Sequence, residues 1–267
     1  APTATNLNQV KAYTEGDSSV ALDDIVVTDV DSGDTITAML TLADPAYGSL
    51  TAGSGNGETY AAGTGIWTVT GSVSAVNAAL AAVAFVPTTD NDVNTSITTH
   101  IEDAAGTGPT DGVINLNVTP VNDAPVATAS TVTTNEDTDH TFVTGDFSYT
   151  DVEGDALVSV TFNNLNLAGG TLEHSGGTAV TNGMTLTAAQ IASLVYTPAS
   201  DANGAPLATF DFTVNDADAG VTAAQMDIDV TPVNDAPTTN NVSASGNEDA
   251  TSIAITLTGG DIDGTVD

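Results

Sequence analysis

Val118-Thr-Pro-Val-Asn-Asp-Ala-Pro125 is followed 112 residues later by the identical octapeptide Val230-Thr-Pro-Val-Asn-Asp-Ala-Pro237. Self-similarity at a fixed offset marks a tandem array, so the rest of the chain can be read outward from these two copies. Asn135-Glu136-Asp137 recurs at the same offset as Asn247-Glu248-Asp249, and Asp151-Val-Glu-Gly returns as Asp261-Ile-Asp-Gly. A looser copy opens at Tyr13-Thr-Glu-Gly-Asp17 and continues into Asp29-Val-Asp-Ser-Gly33. The expected organisation is one repeat over residues 1–121, a second over 122–233, and over 234–267 the opening strands of a third, incomplete repeat. A third sandwich broken there would leave its core open, so the parent protein is expected to continue.

Each unit reads as all-β. Ile114, Leu116 and Val118 alternate with Asn115 and Asn117; Phe210, Phe212 and Val214 with Asp211 and Thr213; Met226, Ile228 and Val230 with Asp227 and Asp229. Period two with one polar face predicts half-buried antiparallel strands. Thr and Val enrichment, Gly-rich turns such as Gly53–Gly57, and a repeat of about 110 residues fit a β-sandwich of about seven strands. Ser74–Ala84 and Thr187–Leu194 carry Ala-rich helical spacing with a Ser or Thr to cap, each leading into a strand that ends in proline.

Composition narrows the function. Thirty-five Asp and Glu stand against the single cation Lys11, a formal charge of −34. Such a chain cannot release counterions from a phosphate backbone or sit on anionic lipid, which excludes nucleic acid as a partner. With 40% apolar residues it still has enough to bury a core. There is no cysteine, hence no disulfide, thiolate metal site or thiol nucleophile. The longest apolar run, Ala78–Val86, is far short of the roughly 20 residues of a membrane span, so no membrane insertion is expected. No signal peptide opens the sequence. His100, His140 and His174 are scattered and read as solvated or strand-surface imidazoles, and neither a nucleophile elbow nor a phosphate loop is present, so an enzyme is not expected.

The loop acids recur in groups. Asp29, Asp31 and Asp34, then Asp151, Glu153 and Asp155, then Asp261, Asp263 and Asp267 set oxygen ligands around Gly-containing turns, as hard cations require. Asp and Gly also make turns by themselves. Several carboxylates gathered in a chain with one lysine, however, repel unless ions neutralise them. An EF-hand is excluded, because its closing Glu would fall at Leu40 or Phe162. Asp227 and Asp229, by contrast, read as solvated strand surface.

These elements resemble bacterial cadherin-like domains found in tandem in very large secreted adhesins, often exported by type I secretion. The resemblance runs the length of the chain. It rests on the Pro-Val-Asn-Asp-Ala-Pro linker, the Asn-Glu-Asp opening, and Thr28-Asp-Val-Asp-Ser-Gly33, which is similar to the Asp-Ala-Asp-Ser-Gly motif of cadherin repeats. It implies an all-β fold of tandem Ig/cadherin-like Greek-key β-sandwiches, each with a short helical turn. It also implies Ca²⁺ between successive domains, held by an acid near the start of the upstream domain, by the linker and by loops of the downstream domain. Carried over by motif, the first junction would use Glu15, Asn122, Asp123, Asp151, Glu153 and Asp216. The second would use Glu136, Asn234, Asp235, Asp261 and Asp263. Asp29, Asp31 and Asp103 would serve a junction with a domain before Ala1. Asp90 and Asp201 stand where cadherins carry a further acidic motif. Pro120 and Pro232 depart from the pattern, which has an acid there, and so leave the number of ions per junction open.

The function this implies is a Ca²⁺-rigidified spacer in a bacterial surface adhesin or extracellular filament. Its partners would be adjacent repeats of the same polypeptide and other copies in a filament. The alternative is a polysaccharide- or ligand-binding sandwich, for which Trp67, or Tyr47 and Tyr60 beside a Gly-rich loop, would present aromatic surface to a glycan. Trp67 within Ile66-Trp-Thr-Val-Thr reads more readily as core.

Overall fold

Alternation along the strands is converted into burial. In the strand Ile36–Leu42, Ile36, Ala38, Leu40 and Leu42 are buried while the residues between them stay half-exposed. Met226, Ile228 and Val230 do the same on Ala224–Thr231, with Asp227 and Asp229 on the other face. A computed structural model describes residues 1–31, 33–216 and 222–262. The chain divides into two units, Ala1–Val121 and Asn122–Asp267.

In the first unit the described residues form a six-stranded sheet in the order Gln9–Thr14, Gly112–Thr119, Thr95–Asp103, Ile36–Leu42, Ile66–Gly71, Thr59–Ala61. A three-stranded sheet of Val20–Ala21, Ala84–Pro87 and Gly48–Leu50 accompanies it. Both contribute to one core, with Trp67, Leu40 and Ile97 from the first sheet and Phe85, Val20 and Leu50 from the second. Burying such side chains contributes about 1.5–3 kcal/mol each.

The second unit repeats the plan. A five-stranded sheet runs Ser130–Asn135, Ala224–Thr231, Gly204–Asn215, Ser159–Asn166, Thr185–Thr187, and a four-stranded sheet runs His140–Thr141, Val195–Thr197, Thr171–His174, Thr178–Ala179. Its core gathers Phe142, Phe147, Phe162, Phe210 and Phe212, with ring centroids 5.3–6.5 Å apart and several edge-on. Such offset and edge contacts suit the aromatic quadrupole.

One pairing in each unit departs from the antiparallel expectation. Gln9–Thr14 runs parallel to Gly112–Thr119, and Ser130–Asn135 parallel to Ala224–Thr231. In each unit the opening segment first pairs antiparallel elsewhere, Thr3–Ala4 with Val27–Thr28 and Val126–Ala127 with Tyr149–Thr150. The chain then joins the other sheet beside its last strand. The consequence is local to the candidate site: Thr14 lies opposite Thr119 and Asn135 opposite Thr231, so the next residues, Glu15 and Glu136, meet the outgoing chain.

Both helical turns are present but shorter than the spacing suggests. Val73–Leu80 is capped by Ser72, whose Oγ accepts from Ala75 N–H. It does not reach Ala84, because Ala84 N–H donates to Thr51 Oγ1 and its carbonyl accepts from Thr51 N–H, drawing it into a strand. Ala188–Ile191 starts with a capping box between Thr187 and Gln190.

Residues 234–262 add only the pairing of Thr238–Thr239 with Gly259–Gly260 and contribute nothing to the buried core of their unit. Ile253, Ile255 and Leu257 there are 50%, 59% and 82% exposed. Among the described residues no helix is long and apolar enough to cross a membrane.

Candidate metal centres

Among the described residues three buried polar side chains are carboxylates, Asp103, Glu136 and Asp216, and each is a position that the cadherin resemblance carries over. A buried carboxylate must be hydrogen-bonded or paired with a cation to be tolerated. The three solve this differently.

In the first unit Asp29, Asp34 and Asp103 each bring a carboxylate oxygen within 4.8 Å of the others. Asp103 is held by its own loop: Oδ1 accepts from Ala105 N–H at 2.9 Å and Thr107 N–H at 3.0 Å, and Oδ2 from Thr107 Oγ1 at 2.6 Å. The Thr107 hydroxyl foremost, then its amide, holds the carboxyl down at about 2. It is therefore an anion at any physiological pH. Asp29 Oδ1 accepts from Asp31 N–H at 2.9 Å, whereas Asp29 Oδ2 is buried with no hydrogen-bond partner. Asp31 falls outside the trio, its side chain 64% exposed. Asp34, across the Gly33 turn, stands with Asp29 and Asp103 instead.

Glu15 accepts Val121 N–H on Oε2 at 2.9 Å, and its other oxygen is buried without a partner. Asp90 comes within 4.8 Å of it, oxygen to oxygen. Asp90 stands at φ 54°, as Asp201 does at 56° in the second unit.

At the start of the second unit Asn122 Nδ2 donates to Asp216 Oδ2 at 2.9 Å and to the carbonyl of Asp123 at 3.2 Å. Asp151 Oδ1 accepts from Asp155 N–H at 2.8 Å. Asp151 Oδ2 and Glu153 Oε2 are both buried with no hydrogen-bond partner. The orphaned Oδ2 thus recurs at the two equivalent aspartates, Asp29 and Asp151.

Farther along the same unit Asp137, Asp201 and Asp235 form another trio within 4.8 Å. A cavity lined by Asp201, Asp235, Thr238 and Asp261 adjoins it. Asn234 Nδ2 donates to the carbonyl of Asp235 at 2.8 Å. Glu136 lies outside the trio, with both oxygens occupied: Oε1 accepts from Val233 N–H and Oε2 from Asn203 Nδ2 at 3.1 Å. Asp263 lies outside the described residues.

All donors at these positions are oxygens, the set a hard cation takes. At separations near 4.8 Å two ionised carboxylates repel by between about 1 and 3 kcal/mol as the effective dielectric falls from ~80 to ~20. A buried acceptor left without a donor costs about 1–3 kcal/mol more. A divalent cation relieves both, so the residues fit Ca²⁺. The fold brings in Asp34, Asp90, Asp137 and Asp201, which motif matching did not place in the ligand set. Their signal was present, as Asp34 belongs to a loop trio and Asp137 to the repeated Asn-Glu-Asp.

The histidines lie outside these groups. His100 Nδ1 is 2.7 Å from Asp111 Oδ1, a contact that raises its pKa above the usual imidazole value. His174 is buried at the inward-facing end of Thr171–His174, a correction to the expected solvated or surface position. Trp67, on which a glycan platform would lean, is fully buried and donates from Nε1 to the carbonyl of Thr51 at 3.0 Å. Tyr60 packs half-buried against the same core, and burial raises its pKa.

Residues 122–229 match the family model described as "Bacterial Ig domain". No curated protein matches the chain in sequence. Among solved structures it is similar to human CDH23 EC21-23, at 15% identity and TM-score 0.47 over 98% of this chain and 80% of that one. It is similar also to mouse Cadherin-23 EC22-24, at 17% identity and TM-score 0.44 over 98% and 78%. Protocadherin Gamma B7 extracellular cadherin domains 1-4 match at 14% identity and TM-score 0.47 over 98% and 59%. Paired sheets around one core, an opening strand that changes sheet to run parallel to the last, and the match over 122–229 together make this an Ig/cadherin-like β-sandwich architecture.

Proposed function

We propose that the chain is a stretch of calcium-rigidified spacer repeats from a large bacterial surface adhesin or extracellular filament, exported by type I secretion and acting outside the cell. The observation that carries this reading is the orphaned, buried Oδ2 at both Asp29 and Asp151, accompanied by the orphaned oxygens of Glu15 and Glu153. A fold that repeats an unmet acceptor at equivalent loop positions is one built for a cation.

In this reading Glu15, Asn122, Asp123, Asp151, Glu153 and Asp216 serve one junction, and Asp235 and Asp261, with Asn234 and Asp263, the next. Asp29 and Asp103, with Asp34 in place of the exposed Asp31, serve a preceding one. Bound Ca²⁺ supplies charge neutralisation and fixed coordination. The chain's own residues supply the rest. Asp103 stays ionised through its Thr107 bonds, and Glu15 ties its carboxylate to the linker backbone. Proline at 120 and 125, and again at 232 and 237, limits backbone freedom on both sides of each Asn-Asp pair. Ordered linkers between folded sandwiches make a stiff spacer, and catalysis is not its task.

The test is chelation. In EGTA the melting temperature of the purified chain falls by many degrees and its radius of gyration in solution scattering rises. Excess Ca²⁺ restores both. A melt and a scattering curve indifferent to EGTA and Ca²⁺ would sink the reading.

A further inference from the structure

Glu15 and Glu136 hold equivalent places, each one residue past the end of a strand paired in parallel with the last strand of its unit. Each clasps the outgoing chain in the same way, accepting the backbone N–H of a linker valine, Val121 or Val233. The backbone N–H of each donates to the carbonyl of Thr119 or Thr231. The clasps differ only at the second oxygen. Glu15 Oε1 is buried with no donor. Glu136 Oε2 accepts from Asn203 Nδ2 at 3.1 Å.

The sequence differs at a corresponding position. Asn203 stands two residues after Asp201, which has φ 56°, and its counterpart two residues after Asp90, with φ 54°, is Asp92. An amide at 203 donates to the second oxygen of Glu136; a carboxylate at the corresponding position 92 has no hydrogen to offer Glu15, whose second oxygen is without a donor. A cation approaching Glu136 Oε2 would have to displace the Asn203 amide or face its N–H dipole, and Glu136 is only 3% exposed. Asp137, the next residue in sequence, is turned by φ 56° toward Asp201 and Asp235.

We infer that the residue at 92 and 203 decides whether the linker-clasping glutamate also ligates the cation: Asp92 leaves Glu15 open to it, and Asn203 closes Glu136, which is then a positioning residue for the linker. This rests on the calcium reading above. It makes the two repeats unequal, with the start of the second linker held at Val233 by protein bonds alone and the corresponding carboxylate of the first unit shared with the ion.

The chain has seven glutamates, so labelling their side-chain carboxyl carbons with ¹³C gives seven resolvable signals. The full chain, stripped with EGTA, is titrated with Ca²⁺, and signals are assigned by single Glu→Gln variants. The Glu15 carboxyl moves and the Glu136 carboxyl stays within its starting linewidth. Asn203→Asp makes Glu136 respond, and Asp92→Asn reduces the response of Glu15 several-fold, with the amide spectrum of each variant checking that it is folded. A Ca²⁺-dependent shift of Glu136 in the unsubstituted chain overturns the inference, as does a silent Glu15 while Glu153 responds. Silence at every carboxyl, together with an EGTA-indifferent melt, overturns the calcium reading and this inference with it.

Discussion

Asn122 Nδ2 donates to Asp216 Oδ2 at 2.9 Å, tying the first residue of the second unit to the residue just past its longest strand, Gly204–Asn215. The two are 94 positions apart in the chain. An amide rather than a second acid at 122 gives the buried carboxylate a donor, and a hydrogen bond to a charged group contributes about 1.5–3 kcal/mol.

Asn122→Ala is therefore expected to destabilise the second unit in EGTA by about 1–3 kcal/mol, read as a lower denaturation midpoint at unchanged slope. Asn122→Asp, which sets one carboxylate against another, is expected to be worse in EGTA and to recover most of its loss in Ca²⁺. Equal midpoints for all three chains in EGTA would count against the bond.

Asp151→Ala removes an orphaned oxygen and one turn bond, to Asp155 N–H. The β signal in circular dichroism should survive, because the loss is about 1 kcal/mol. The radius of gyration in Ca²⁺ should rise toward that of the EGTA-treated chain. Loss of the β signal would mean that Asp151 supports the sandwich itself.

Glu58 provides a pH test away from the metal positions. Its carboxylate sits in the loop Gly53–Gly57 and accepts from Gly53 N–H at 2.7 Å, Ser54 N–H, and Asn56 N–H at 3.1 Å. Hydrogen bonding from the Ser54 side chain foremost, then from its own backbone N–H and those of Gly53 and Ser54, lowers its pKa to about 2. A depressed carboxyl stabilises the fold above its unfolded pKa of about 4.3, and that stability is lost as pH falls toward 2. Glu58→Gln should flatten this part of the stability profile and speed amide exchange at Gly53 and Ser54. An unchanged profile would refute the assignment.

Trp67→Ala should cost about 3–5 kcal/mol, as expected for a large buried ring. The native chain should fluoresce with the blue-shifted emission of a buried indole, and glycans should leave that emission unchanged. Saturable quenching by a polysaccharide would revive the ligand-binding alternative.

Much of the β architecture can be read directly from residue order. Phe210, Phe212 and Val214, or Met226, Ile228 and Val230, point the same way because side-chain direction in a strand is set by local geometry. The parallel seam could not be read there, since alternation is the same for parallel and antiparallel partners. Helix ends were likewise hidden: Ala84 is drawn from its helix by Thr51, a residue 33 positions away. At the candidate centres, the recurring loop acids pointed to Asp29 and Asp151, and the cadherin resemblance to Asp103 and Asp216. It placed Asp31 where the fold gathers Asp34, because a turn through Gly33 at φ 100° separates them and loop side chains follow no fixed period.

The two copies of Val-Thr-Pro-Val-Asn-Asp-Ala-Pro, the two-residue alternation and the excess of acid over base were enough to determine a tandem all-β chain with carboxylates concentrated in its turns. These are properties of neighbours, and neighbours are what a sequence records. Which carboxylate oxygens are met by a protein donor and which are left buried without one was decided only by the tertiary structure. Glu15 and Val121, 106 positions apart, and Glu136 and Asn203, 67 apart, meet because sheets are assembled from distant strands, and the saturation of an acceptor depends on that assembly.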